Sequence, residues 1–236
     1  MEEKRFEELY NRAYERGYNT FSSFLNLEEQ SELKKTYLPC TLFGGYEMAE
    51  RVIAGFGEDL SEDKFPIKCI CAKPVMQKFA DELSHRDFLG ALMNLGIERK
   101  LIGDIIVENN QGYIFCVDRI ADYICENLER VRHTTVKTDL SDLPKLTQND
   151  PEPIEIFAAS KRLDVLICAI YNLSRNDASK LVASEKVFVN SKLITNASHT
   201  VNDNDIVSVR GWGRFVLVDE VKVTKKGRLV LEIKKY

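Results

Sequence analysis

The chain has no apolar run long enough to cross a bilayer, and its first ten residues, MEEKRFEELY, are acidic and amphipathic. Neither a secretory leader nor a membrane anchor is expected, so the reading is a cytoplasmic protein. Cys-x-x-Cys is also missing. The six cysteines at 40, 69, 71, 116, 125 and 168 are scattered, the closest pair being Cys69 and Cys71, and they sit in apolar runs such as IKCICAK and IFCVD. Reduced, buried, structural thiols are expected from that pattern. There are only three histidines, His85, His133 and His199, too dispersed to form a zinc motif. No Gly-x-Gly-x-x-Gly is present, and the Gly44-Gly45 pair reads as a strand-to-turn junction. No metal and no cofactor is therefore expected.

What the chain does have is bulk and an uneven charge. Its 236 residues, 44% of them hydrophobic, suffice for one large domain or two or three small ones. The formal net charge of −4 conceals a division. Residues 157–236 hold 14 Lys and Arg against 8 Asp and Glu, a net +6, which leaves 19 against 29, a net −10, in residues 1–156. A basic module on an acidic body suggests a footprint for a polyanion in the last third.

The periodicity predicts an α+β fold. Residues 1–64 open with two amphipathic helices, EEKRFEELYNRAYERG and one capped by Asn26 ahead of Leu-Glu-Glu. Residues 65–140 read as strand PIKCICAK, helix FADELSHRDFLGALMNLG, strand IGDIIVEN, turn NNQG, strand YIFCVD, helix RIADYICENLER and strand HTTVKT. That order, βαββαβ, is the ferredoxin-like plait, shared by many RNA-binding and many unrelated domains. Its third strand loosely resembles an RNA-recognition strand, with Tyr113 and Phe115 two apart on one face, but apolar residues on both faces favour ordinary burial.

A linker is expected over 141–156, where DLSDLPKLTQNDPEPIE gathers three prolines among acids and turn formers. Beyond it, SKRLDVLICAIYNL carries a helical stripe of Leu163, Leu166, Ile167 and Ile170. A second short helix opens at Ser174 with Asp177 three residues on, buries Ala178, Leu181 and Val182, and leaves Arg175, Ser179 and Lys180 toward water. Strands near VFV, DIVSV, FVLVDEVKV and RLVLEIK follow, the last two joined by a KKG hairpin turn.

With KRLD at 161–164, SRNDASKLV at 174–182, KVFVN at 186–190 and NDNDIVSV at 202–209, residues 157–236 resemble the S4 RNA-binding domain, of the αL type, with a C-terminal β-hairpin. Together with GGYEMAER at 44–51, SHRDFLGALMNLGIERKLIGDI at 84–105 and RGWGRF at 210–215, the whole chain resembles the YlmH (RqcP) family. Where the S4 pattern usually carries Gly, this chain has Glu185, Ser191 and Asn204; Asn tolerates the left-handed conformation and is expected to keep its turn.

The resemblance implies a non-catalytic adaptor in bacterial ribosome-associated quality control. Its partners would be large-subunit ribosomal RNA, peptidyl-tRNA on the 50S subunit and the factor that adds C-terminal alanine tails, with no membrane involved. The expected RNA-binding residues are Lys161, Arg162, Arg175, Lys180, Lys186, Lys192, Arg210 and Arg214, aided by backbone amides at the two helix starts. His85 and Arg86 are secondary candidates in the plait. Arg162-Leu163-Asp164 also resembles the catalytic trio of pseudouridine synthases, but Asp164 leads into an apolar helix rather than a Gly-bearing turn. Methyl transfer finds no Gly-rich loop for S-adenosylmethionine in the first 150 residues. His85-Arg86-Asp87 cannot form a relay, since consecutive helical side chains splay by about 100°. A role in cell division, implied by the family's gene neighbourhood, is the weaker alternative.

Overall fold

The computed structural model describes residues 2–141 and 151–236. Two units, Met1–Lys145 and Leu146–Tyr236, separate by their internal contacts.

The first unit begins with α1 (Glu2–Arg16), which leads into β1 (Thr20–Phe21). Asn26 then caps α2 (Leu27–Lys35): its side chain accepts from the amides of Glu28 and Glu29, and Glu29 reaches back to the Asn26 amide at 2.7 Å. β2 (Thr41–Phe43) and β3 (Ile53–Phe56) complete a three-stranded sheet ordered β1-β3-β2. Phe6, Ala13, Leu25, Leu33, Ala54 and Phe56 close a small core between helices and sheet.

The plait follows: β4 (Ile67–Pro74), α3 (His85–Asn94), β5 (Ile102–Glu108), β6 (Gln111–Val117), α4 (Ala121–Asn127), the short β7 (Arg130–Val131) and β8 (Thr134–Ser141). Its sheet runs β5-β6-β4-β8-β7 with antiparallel neighbours, the order expected of a split βαβ plait extended by β7. The hairpin between β5 and β6 turns on Asn109 and Asn110, both at positive φ (49° and 63°), the backbone of a type I′ turn. Phe88, Leu92 and Ile124 from the helices bury against Ile70, Ile105 and Ile114 of one sheet face. Helix α3 is shorter than the expected 79–96. Asn110 holds the Asp81 carbonyl and the Leu83 amide at 2.8 and 2.7 Å, and Thr134 accepts from the Asp81 amide, so 81–84 stay extended until Ser84 starts the helix.

Most of the expected linker, 142–150, lies outside the described residues. Its last residues are a strand: β9 (Ile154–Ala158) pairs with the C-terminal hairpin, so regular structure in the second unit starts before residue 157. Next come α5 (Leu163–Tyr171), α6 (Arg175–Ala183), β10 (Val187–Val189), β11 (Lys192–Leu193), β12 (Ile206–Val209), β13 (Gly213–Val223) and β14 (Leu229–Lys235). The sheet order is β11-β10-β12-β13-β14-β9. Leu163, Leu166 and Ile167 of the predicted stripe are fully buried with Ala178, Val182, Val187, Phe215, Leu231 and Ile233. Leu181 and Ile170 pack at the edge of this core.

All six cysteines are free thiols. Cys69 and Cys116 are buried, and burial pushes both pKa values up to about 12. Cys40, Cys71, Cys125 and Cys168 are only partly buried, short of the full burial expected from their apolar neighbours.

Candidate nucleic-acid interface

Two helix starts converge on one carboxylate. Arg162 stands just before α5 with extended backbone, and Asp164 follows in the first turn with its side chain only 4% exposed. Arg162 donates from Nε to Asp164 Oδ1 at 3.0 Å and from Nη2 to Oδ2 at 2.9 Å. Arg175, at the first turn of α6, brings its Nε to 3.5 Å from the same Oδ2, and the Val165 amide donates to Oδ1 at 3.0 Å. Burial alone would raise the Asp164 pKa. The Arg162 hydrogen bonds and the charges of both arginines outweigh it, and the carboxyl rests below its ordinary value. One anion holding two guanidinium groups leaves a local excess of positive charge, with Arg175 the more exposed of the two cations.

Ser174 caps α6 as its sequence predicts: its Oγ accepts from the Asp177 amide at 3.1 Å and donates to Asp177 Oδ2 at 2.6 Å. The start of α5 differs from expectation. The Leu163 and Asp164 amides donate to the carbonyls of His199 and Ala197 at 2.8 and 3.1 Å, so the 197–199 loop occupies the amides that sequence reading offered to phosphate.

The other expected residues stand elsewhere in the second unit. Lys161 lies between Asp203 (2.9 Å) and Glu220 (3.3 Å), is only 20% exposed, and has its pKa raised chiefly by the Asp203 hydrogen bond. Its charge is already matched inside the unit. Lys180 is exposed, 3.7 Å from Asp177. Lys186 and Lys192 are exposed beside β10, Lys192 opposite Val189. Arg210 stacks its guanidinium 5.7 Å from the Phe188 ring centre, and its amide donates to the Lys186 carbonyl at 2.9 Å. Arg214 is half-buried opposite Ser208 and exchanges backbone hydrogen bonds with Tyr236.

In the first unit, His85 and Arg86 open α3 and are exposed. Partial desolvation, then the charge of Arg99, lowers the His85 pKa. Asp87 turns back to Ser84, accepting from its amide and hydroxyl at 2.8 and 2.6 Å, and its other oxygen lies 3.7 Å from Arg132. Phe115 is 1% exposed beneath Tyr46, with ring centres 5.1 Å apart, so the plait strand does not offer an aromatic pair to bases.

Three residues central to these arrangements have roles that the sequence alone did not assign. Asp164 is the shared anchor, signalled by Arg-x-Asp at one helix start and Arg at the next. Asp104 accepts from Tyr46 Oη (2.8 Å) and from the Glu50 and Arg51 amides (2.7 and 3.1 Å), tying GGYEMAER to the plait. Trp212 is 43% exposed in the RGWGRF turn. Among the described residues no three His, Cys, Asp or Glu side chains gather as a metal site, and no helix is long and apolar enough to cross a membrane.

A family model described as "Putative RNA-binding domain in YlmH" matches residues 61–145, and the S4 domain model matches 161–207. The chain is 32% identical over 191 residues to "Ribosome-associated protein quality control protein P2" of Bacillus subtilis (strain 168), covering 78% of this chain and 73% of that one. A solved structure, "Cell division protein ylmH from Streptococcus pneumoniae", is similar with a TM-score of 0.49 and 24% identity, covering 61% of this chain and 90% of that one. With both domain models matched in order and the Bacillus subtilis relative aligned over most of its own length, the chain belongs to the YlmH (RqcP) family.

Proposed function

We propose that this chain is a non-catalytic RNA-binding adaptor of the bacterial cytoplasm. It binds ribosomal RNA and peptidyl-tRNA on the large ribosomal subunit and supports C-terminal alanine tailing of stalled nascent chains. The observation that carries this reading is the Arg162–Asp164–Arg175 cluster: a buried carboxylate fixes two guanidinium groups at adjacent helix starts, where their remaining N–H groups can meet backbone phosphates with little ordering cost. Exposed Lys180, Lys186 and Lys192 extend the positive surface, and the net +6 of residues 157–236 supplies the longer-range field. The Bacillus subtilis relative, named for ribosome-associated quality control, supports the ribosomal setting.

The same cluster speaks against the pseudouridine synthase reading. A nucleophilic aspartate needs an accessible oxygen, whereas both oxygens of Asp164 accept hydrogen bonds and its side chain is nearly buried.

Cosedimentation of the full chain with large subunits carrying peptidyl-tRNA tests the proposal. Replacing Arg175 and Lys180 with Ala should weaken binding and flatten its salt dependence, because fewer counterions are released. Mass spectrometry of the RNA after incubation should show no new modification. Unchanged affinity in the folded double variant, or reproducible base modification, overturns the proposal.

A further inference from the structure

The RGWGRF turn displays the chain's single tryptophan between cations. Gly211 and Gly213 flank Trp212 at φ +81° and +111°, and a Cβ on Gly213 would come within 2.9 Å of the Tyr236 carbonyl. Only glycine fits there, so the backbone is shaped to hold Trp212 in one place. The indole leans on Tyr171 (ring centres 5.7 Å apart), which packs on Phe215 (6.3 Å) and carries Lys235 Nζ 4.8 Å from its own ring centre. Among the described residues, Tyr171 Oη is buried without a hydrogen-bond partner. Phenylalanine would fill the same space without that desolvation penalty, so packing alone does not account for the hydroxyl.

Charge identifies the kind of partner. Lys235, paired with Phe215, stands on the Tyr171 side of the sheet and is exposed beside this turn, in a unit whose residues 157–236 carry a net +6, while Arg210 over Phe188, Arg214 opposite Ser208 and Lys234 opposite Val216 alternate to the other side. An aromatic anchor for an apolar protein groove has no use for a neighbouring ammonium in a basic unit, whereas a nucleotide presents a flat base to the indole and a phosphate to the lysine. Tyr171 ends the helix that Asp164 begins, seven residues and about 10 Å along its axis, so one RNA can reach both places.

We infer that Trp212 is a stacking platform for an unpaired nucleobase of the bound RNA, with Lys235 as its phosphate contact. This rests on the RNA-binding reading above and adds to it a preference for RNA with unpaired bases. Trp212 reports on itself, since no other indole contributes to the emission.

The full chain is titrated with a short RNA hairpin bearing an adenosine loop and with a blunt duplex of the same stem, following tryptophan emission and, separately, anisotropy of labelled RNA. The hairpin should quench Trp212, while the duplex should bind with unchanged emission. Trp212→Ala should lower affinity for the hairpin about ten-fold and leave the duplex nearly unaffected, and Trp212→Phe, which keeps the packing on Tyr171, should retain most of it. Hairpin binding with unaltered emission, or equal losses for the two RNAs in folded Trp212→Ala, overturns the inference while leaving RNA binding intact. Failure of the unmodified chain to bind either RNA overturns the reading beneath it as well.

Discussion

Arg162 grips Asp164 two residues away through parallel contacts of 3.0 and 2.9 Å, one from Nε and one from Nη2. The pair contributes to the pH dependence of the second unit. The folded carboxyl lies below its ordinary value of 3.8, so the stability it contributes is fully present above pH of about 4 to 5 and is lost as pH falls through the folded value. Asp164→Asn keeps the shape but not the charge. Its urea midpoint should start lower at neutral pH and fall less steeply on acidification than that of the unmodified chain. Parallel curves would mean that Asp164 carries no linked proton.

The second unit passes through the left-handed region without glycine at, among other positions, Glu185 (φ 59°), Ser191 (61°) and Asn204 (66°). These are the positions where the S4 pattern usually has Gly, so the loops keep their shape and the side chains bear the strain. Ser191 follows Asn190 (φ 48°) between β10 and β11, a two-residue loop that favours Asn-Gly. Glu185→Gly and Ser191→Gly should each raise stability by about 0.5–1 kcal/mol, the relieved strain exceeding the added freedom of the unfolded chain. Asn204→Ala should lower it by about 1 kcal/mol, since Asn bears this conformation at less cost. Urea denaturation at fixed pH measures all three.

Why some of this was legible in the sequence and some was not follows from the range of the interactions. The plait order, the capped starts at Asn26 and Ser174, and the stripe through Leu163, Leu166 and Ile167 are written in local spacing, and local spacing is what periodicity reads. The occupied amides of α5 were hidden because their acceptors, His199 and Ala197, lie more than thirty residues further along the chain. The pairing of Lys161 with Asp203 and Glu220 was hidden for the same reason. FADEL has helical periodicity that points to a longer α3, and the distant Asn110, His133 and Thr134 hold 81–83 out of the helix.

In the first unit, Asp104 accepts three hydrogen bonds from one stretch, Tyr46, Glu50 and Arg51, while Arg51 spends its guanidinium on the carbonyls of Phe24, Arg99 and Ile102. Removing the carboxylate takes away all three of these bonds at once. Asp104→Ala should destabilise the unit by about 2 kcal/mol. Hydrogen exchange should show loss of protection over 44–51 and 99–105, with the amides of α5 and α6 unchanged. Equal loss in both units would mean that they unfold as one.

The last prediction separates what the two units do. Residues 157–236 carry a net +6, and the core of the second unit is built from its own elements, Leu163 and Ile167 of α5 against Val187, Phe215, Leu231 and Ile233 of the sheet. A segment spanning 151–236 should therefore fold and bind structured RNA with nearly the salt slope of the full chain, since counterion release depends on the cations it retains. The first 156 residues, at net −10, are poorly suited to broad phosphate contact, which leaves them a task of positioning or of meeting a protein through a limited patch. In cells lacking the protein, the 151–236 segment should then fail to restore alanine tailing although it reaches the ribosome. Full restoration by the segment would place the whole function in the S4 unit, and a clearly shallower salt slope would show that the acidic unit contributes phosphate contacts despite its charge.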